Sequence, residues 1–293
     1  MSTIDSGHPA PVQIPQKTMG EQTRDFAGRL GVYVAIAFIA LFFALPMLWL
    51  VLAPFDRVPS LSVSWPDFTL ENFREILTNP LALGSLWNSV VLALGTIALV
   101  LLAGAPASYV LSRVRFPGRD ILLYVMLLFS SVVTGSAAMV PLFLMIFNMG
   151  LIDTHTGVVL VLTGGMLPAA IFILKDFTDS IPTSYEESAR VFGANSFQVI
   201  KDIVFPVIQP GLAVIAVYVG VQVWGNFLMP FLLLRSPSQS PAAVLMYSFY
   251  TEGGQANLRL ISTFSLVYTI PVVLLYLFVQ RRYGFRFFGG IKG

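Results

Sequence analysis

The sequence predicts an all-α membrane protein that crosses the bilayer six times, and three observations carry that expectation. Of its 293 residues 56% are hydrophobic and only 11% charged, with a mean hydropathy of +0.79, whereas a soluble domain is roughly a quarter charged. Six intervals are free of charge and long enough to cross: 30–55, 76–112, 121–152, 154–174, 203–234 and 260–280. A span needs about 20 apolar residues, because a helix rises about 1.5 Å per residue across about 30 Å of hydrocarbon. Finally, with the N-terminus in the cytoplasm, thirteen of the seventeen Lys and Arg fall on that side and only Arg57, Arg74, Arg235 and Arg259 fall outside. This asymmetry places both termini in the cytoplasm of a multi-pass cell (inner) membrane protein.

The elements follow in order. Residues 1–29 are polar, punctuated by Pro9, Pro11 and Pro15, and are expected to be a disordered cytoplasmic leader. Residues 30–282 form the six-span domain. Between its first two spans Leu70, Phe73, Ile76 and Leu77 recur at helical spacing, which predicts a short amphipathic helix on the outer surface. In the second span, Ala103 with Ala107 and Gly104 with Ser108 make small-xxx-small pairs that let a neighbouring helix come close. Pro141, Pro168, Pro210, Pro230 and Pro271 lie within spans, where each removes a backbone hydrogen bond and favours a kink. The interval Ser236–Thr251 is charge-free but rich in Ser and Pro and reads as an exposed loop. Residues 283–293 are a cytoplasmic tail.

The residue inventory excludes several functions. A net charge of +2 gives no basic excess for nucleic acid, and the absence of cysteine removes disulfides, thiolate metal sites and cysteine nucleophiles. There is no GxxxxGK[ST] loop for ATP, no HExxH and no GxSxG. His8 and His155 are the only histidines, too few ligands for a metal. No Asp, Glu, Lys or Arg lies within the assigned spans, so the midplane charges on which ion-coupled transporters depend are missing. Asn88, Thr96, Thr134, Tyr218, Gln222, Trp224, Asn226, Thr263 and Tyr268 do carry hydrogen-bonding groups there. Such groups suit either a path for an uncharged polar solute or adhesion between helices. Asn88, Thr134, Tyr218, Gln222, Trp224 and Asn226 are the candidates for the path, with Gln222 and Asn226 four apart on one face.

The loop 175–202 holds the most informative segment, IPTSYEESARVFGANSFQVIKDIVFP. Thr183 with Glu186, and Ser184 with Glu187, fit capping boxes that open a helix. Tyr185, Ser188, Ala189 and Phe192 then share one face, whose small centre permits close approach to a partner. Glu186, Glu187 and Arg190 occupy the other face, with Glu186 and Arg190 as an i, i+4 pair. Gly193 is placed to end the helix in a left-handed conformation. Two turns are too short to persist alone, so the helix must be held by packing.

This segment resembles the EAA signature of ABC importer permeases, which runs E-A-A, three residues, G, nine residues, I, one residue, L-P. Glu187-Ser188-Ala189, Gly193, Ile203 and Phe205-Pro206 fall at that spacing, with Ser188 and Phe205 as departures and Phe192 in place of a common Asp. NSVVLALGT, ASYVLSRVRFPGRD, FILKDFTDSIP and the terminal GGIKG extend the resemblance to the carbohydrate-uptake permeases, in particular the maltose-type second subunit. The family's W-N-[DE]-F is Trp224-Gly225-Asn226-Phe227 here, without the acidic residue. The resemblance implies a type I importer fold and a heterodimer with a second permease subunit. It also implies two ATPase subunits that bind ATP and Mg, an extracytoplasmic solute-binding protein, and no cofactor or catalysis in this chain. Tyr185, Glu186, Glu187, Ser188, Ala189, Arg190, Phe192 and Gly193, with Ile203 and Pro206, would form the cytoplasmic coupling helix and its exit, meeting the ATPase. Uptake of a neutral sugar or oligosaccharide by alternating access is the expected function. The alternatives are a polyol, glycerol phosphate or another small solute, or, in another class, a secondary transporter or channel.

Overall fold

The computed structural model describes residues 19–60, 67–133, 138–249 and 256–283. Two units are distinguished, residues 1–50 and 51–293. The first consists of most of helix α1 (Met19–Leu52), whose apolar side chains, Phe38, Phe42 and Phe43 among them, are exposed. Helix α1 starts eleven residues before the first expected span, so the part of the expected leader from Met19 to Arg29 is helical. Its prolines all precede Met19, and Glu21, Gln22, Arg24 and Ala27 are sound helix formers. Residues 1–18, and residues 284–293 of the expected tail, lie outside the described residues.

The second unit is built on α3 (Pro80–Arg113) packed against α6 (His155–Asp179) and against α9 (Phe205–Trp224), with α12 (Leu258–Tyr283) beside α9. Small residues bring α3 and α6 together. Gly104 faces Leu167, Ala170 and Leu174, and a Cβ at Gly95 would lie 3.2 Å from Val159. Around this seam Leu92, Val100, Val158, Leu162, Ile215 and Val219 form the main core. The asparagine Asn79 caps α3 by accepting from the Leu81 and Ala82 N–H groups, and Thr154 caps α6 through Gly157.

Among the described residues, five helices are long and apolar enough to cross a membrane. The interval 121–152 is divided instead into α4 (Arg119–Val133) and α5 (Met139–Asn148). Pro141 falls in the first turn of α5, where its missing N–H has no intrahelical partner to lose. Thr134 lies between the two helices, outside the described residues. The short helix between the first spans, α2 (Glu71–Thr78), is present, but it turns Asn72 and Ile76 inward and leaves Leu70 and Leu77 exposed. The Asn72 amide decides this, donating to the carbonyls of Pro54 at 3.0 Å and Asp56 at 2.8 Å. Glu75 then pairs with Arg259 of α12 at 2.7 Å.

The chain after α10 (Leu228–Leu233) is more ordered than the exposed loop its Ser and Pro content suggests. It forms 3-10 turns and α11 (Ala242–Leu245), and buries Ala242, Leu245 and Phe249 with Phe264. Its polar backbone is satisfied by side chains from the long helices. Asn88 donates to the Ser238 and Ser240 carbonyls, Ser89 accepts from Ala242 N–H, and the His155 ring meets the Gln239 carbonyl at 3.0 Å. Asp153, in a left-handed conformation with φ 58°, accepts from the N–H groups of Arg235 and Ser236 at 2.9 and 3.0 Å and from the Ser236 hydroxyl.

Two glycines of α6 separate close approach from open space. A Cβ on Gly157 would meet the Leu151 carbonyl oxygen at 2.5 Å, whereas nothing lies within 4 Å of one on Gly164. Gly157→Ala should lower stability by about 1–3 kcal/mol through overpacking against backbone, and Gly164→Ala should raise it by up to about 1 kcal/mol through helix propensity. Thermal unfolding in detergent reads both.

The three hydrogen bonds from Ser236 and Arg235 hold the Asp153 carboxyl below its ordinary 3.8. A depressed folded-state value contributes stability that is present above pH 3.8 and lost as pH falls through the folded value. Asp153→Asn keeps a residue tolerant of positive φ and should flatten the fall in stability below about pH 4, measured as unfolding temperature against pH.

Candidate functional site

Helix α7 (Thr183–Val191) follows α6 and precedes α8 (Ser196–Val199) along the chain, and most of its side chains are exposed. It begins at Pro182 with no side-chain cap, so neither expected capping box closes at this end. The box that does form is Asn195 with Gln198, at the start of α8. Gly193 has φ +87° with open space around it, the left-handed terminator that the sequence suggests. A π-helical turn, Ile200–Val204, precedes α9. It ends just before Pro206, whose missing N–H interrupts the ordinary helical ladder.

The two faces of α7 are redistributed relative to the expected ones. Glu186, expected outside, is buried. Its carboxylate accepts from Tyr109 Oη at 2.8 Å and from Arg113 Nε at 2.7 Å, both at the end of α3. It therefore spends both oxygens away from Arg190, and the expected i, i+4 pair gives way to a long-range one. The Arg113 guanidinium also donates to the Ile181 carbonyl at 3.0 Å and to Ser112 Oγ. Ser112 in turn donates to Asp179, which pairs with Lys175. A carboxylate so desolvated depends on its partner, since removing one member of a buried pair typically costs about 3–5 kcal/mol.

Ala189, expected against a partner protein, is half-buried against this chain's own Ile181, Val199, Val204 and Ile208. A small side chain here lets α7 lie close to α8, with which it is in contact. The outward surface is instead large and apolar. Phe192 is 91% exposed, Val191 84% and Phe197 73%, and Tyr185 is exposed as well. Exposed Glu187, Ser188 and Arg190 share the tip. Three apolar side chains held in this polar setting form a knob suited to burial in a groove. Ile203 is half-buried at the exit from the π turn and Pro206 is exposed.

A second feature is an open cavity of about 500 Å³ lined by α4, α6 and α9. Tyr218, Gln222 and Asn226 line it together, with Ser130, Gly165 and Met166 on the facing helices, and no lining residue is charged. Asn226 also accepts from the Met229 N–H at 3.2 Å, capping α10. The other candidates serve elsewhere. Asn88 secures the loop after α10, as above. Trp224 Nε1 donates to the Tyr268 carbonyl at 3.1 Å and the Tyr268 hydroxyl donates to the Trp224 carbonyl, joining α9 to α12.

Sequence reasoning missed Tyr109, Arg113 and Phe197. Tyr109 and Arg113 lie four apart near the end of a charge-free interval, on one helix face. That spacing is a visible signal, but it names no partner 70 residues away.

Comparison with known proteins gives a consistent identity. A family model described as the binding-protein-dependent transport system inner membrane component matches residues 100–287. The chain is 32% identical to the diacetylchitobiose uptake system permease protein NgcG of Streptomyces coelicolor, over 81% of this chain and 80% of that one. It is 28% identical to the galactooligosaccharides transport system permease protein GanQ of Bacillus subtilis, over 89% of this chain and 94% of the relative. A crystal structure of a bacterial ABC transporter involved in the import of the acidic polysaccharide alginate superposes with a TM-score of 0.75 at 20% identity, covering 92% of this chain and 100% of that one. That likeness establishes the ABC importer permease fold. With membrane-length helices and matches along most of its length, this multi-pass chain belongs to the binding-protein-dependent transport system inner membrane component family, the permease subunits of ABC importers.

Proposed function

We propose that this permease subunit passes a neutral di- or oligosaccharide inward, driven by an ATPase that docks on the knob at α7. The carrying observation is that Val191 at the end of α7, Phe192 directly after it and Phe197 on α8 are exposed, with Glu187 and Arg190 exposed on α7, the helix fastened to α3. An apolar knob in a polar setting gains free energy by entering a protein groove, about 25 cal/mol for each Å² covered. The left-handed turn at Gly193 sets its direction. Both termini lie in the cytoplasm on this reading, as the distribution of Lys and Arg supports, and the knob faces the same side.

A sugar is supported by the relatives named for diacetylchitobiose and galactooligosaccharide, and by a cavity that presents Tyr218, Gln222 and Asn226 but no charge. Hydroxyls exchange their hydration for amide and phenol hydrogen bonds there without the cost of burying an ion. A second permease subunit closes the open side of the cavity, and an extracytoplasmic binding protein delivers the solute. ATP and Mg are held by two ATPase subunits. This chain supplies no catalytic group, and closure of the ATPases biases two packings of the helices.

Phe192→Ser should leave membrane insertion unchanged and weaken ATPase association by about 2 kcal/mol, roughly thirty-fold. Gly193→Val should do so through backbone strain of about 1–2 kcal/mol, while Glu187→Ala changes little. Titration of the ATPase onto reconstituted membrane subunits measures all three, and thirty-fold weakening by Glu187→Ala alone would contradict the docking face.

For the solute, Gln222→Ala should raise the sugar concentration needed for half-maximal uptake about ten-fold without altering ATPase affinity, each lost hydrogen bond contributing about 0.5–1.5 kcal/mol. Uptake by proteoliposomes holding the complete transporter provides the measurement. Undiminished uptake and preference would return Gln222 to helix packing.

A further inference from the structure

At the foot of α3, a buried ion pair joins the docking helix to one particular membrane helix. Helix α3 has 34 residues, about 50 Å at 1.5 Å per residue, which exceeds about 30 Å of hydrocarbon. Its last turn therefore extends past the apolar layer, and Tyr109 and Arg113 occupy one face of it, four residues apart. Both reach Glu186. The side chains of Arg113 and Glu186 are 15% and 7% exposed, so water competes little for their bond. Arg113 simultaneously holds the Ile181 carbonyl, in the turn between α6 and α7.

We infer that Arg113 is a positioning residue for energy coupling, which with Tyr109 and Glu186 clamps α7 to α3 so that displacement of the docked helix moves α3. This deepens the proposed function and rests on docking of the ATPase at the Phe192 knob. Several features make the clamp a mechanical joint as well as a local stabiliser. Its three bonds are all donated from α3, two to Glu186 on α7 and one to the Ile181 carbonyl in the turn before it, and so hold the start and the middle of the docking segment to the same helix. Phe192, Val191 and Phe197 take no part in the clamp, so apolar docking and transmission are carried by different side chains, while Arg190, exposed on α7, also interacts with Tyr109. Helix α3 also forms the main seam with α6, which lines the solute cavity through Gly165, Met166 and Ala169. A displaced α3 consequently reaches the cavity wall through packed side chains. Ala189 of α7 packs against the small apolar cluster of Ile181, Val199, Val204 and Ile208, a contact without the directionality of the charged bonds.

The test uses the complete reconstituted transporter and reads two quantities, ATPase affinity for the membrane subunits and sugar molecules imported per ATP hydrolysed. Arg113→Gln, Tyr109→Phe and the double variant Arg113→Gln/Glu186→Gln are compared with wild type. The double variant removes both charges together and leaves no orphaned buried ion, so it provides the answer if the single variant does not fold. Affinity is expected to stay within two-fold of wild type. The sugar-to-ATP ratio should fall at least ten-fold in Arg113→Gln and in the double variant, and less in Tyr109→Phe. A ratio unchanged in the double variant at normal expression would overturn the clamp as a transmitter. So would a loss of affinity that fully accounts for lost uptake, since the clamp would then only shape the docking surface. Phe192→Ser distinguishes the underlying reading. If it leaves ATPase affinity intact, docking at α7 fails; if it weakens affinity while Arg113→Gln preserves the ratio, the clamp alone fails.

Discussion

The close seam between α3 and α6 is the contact on which the rest of the second unit depends. A hydrocarbon environment offers helices no hydrophobic driving force to associate, so contact must come from van der Waals packing, and packing needs small residues. Gly95 against Val159, and Gly104 against Leu167, Ala170 and Leu174, provide it. The same economy continues into α9, where a Cβ on Gly211 would lie 2.7 Å from the Phe177 ring. The helices are thus held near enough for Tyr109 and Arg113 to meet Glu186 at one end and for Asn88 and Ser89 to reach the chain after α10 at the other.

Polar chemistry is concentrated at the two ends of this seam, and it differs between them. At one end Asp153, Asn88 and Ser89 satisfy backbone groups of the segment 235–242, a bracing in which one carboxylate and two neutral side chains meet backbone rather than other charges. At the other, Lys175, Asp179, Arg113 and Glu186 form a charged chain that crosses from α6 to α3 to α7. Charged bonds in a partly dry site are stronger and more directional than neutral ones. That contrast suits an end which must transmit displacement. Between the ends, the cavity lined by Tyr218, Gln222 and Asn226 is the one polar interruption argued to meet solute.

Much of this was legible in the sequence because it depends on local or one-dimensional signals. Most span positions follow from charge-free length, the left-handed turn follows from Gly193, and α7 follows from an amphipathic run ending at Gly193, although the capping boxes expected to open it do not form. What stayed hidden required tertiary choice. Glu186 had a neighbour of opposite charge at Arg190 and a better one 73 residues earlier at Arg113, and burial, which sequence spacing does not encode, selected the second. Ala189 read equally well as a surface for a partner and as a surface for its own chain. The segment after α10 looked like a loop because its stabilising groups, Asn88 and Ser89, come from a helix about 150 residues away. Gln222 and Asn226 were readable as a shared face; that they face an open cavity was not.

The central claim is that Phe192 is open in the free permease and covered when the ATPase docks. The chain contains no cysteine, so Phe192→Cys supplies a unique thiol, and its rate of reaction with a membrane-impermeant maleimide from the cytoplasmic side measures exposure directly. Rapid labelling without the ATPase, and protection of at least ten-fold with saturating ATPase, is the result expected. Equal rates with and without bound ATPase would contradict the account, and labelling only from the opposite side would overturn its orientation as well.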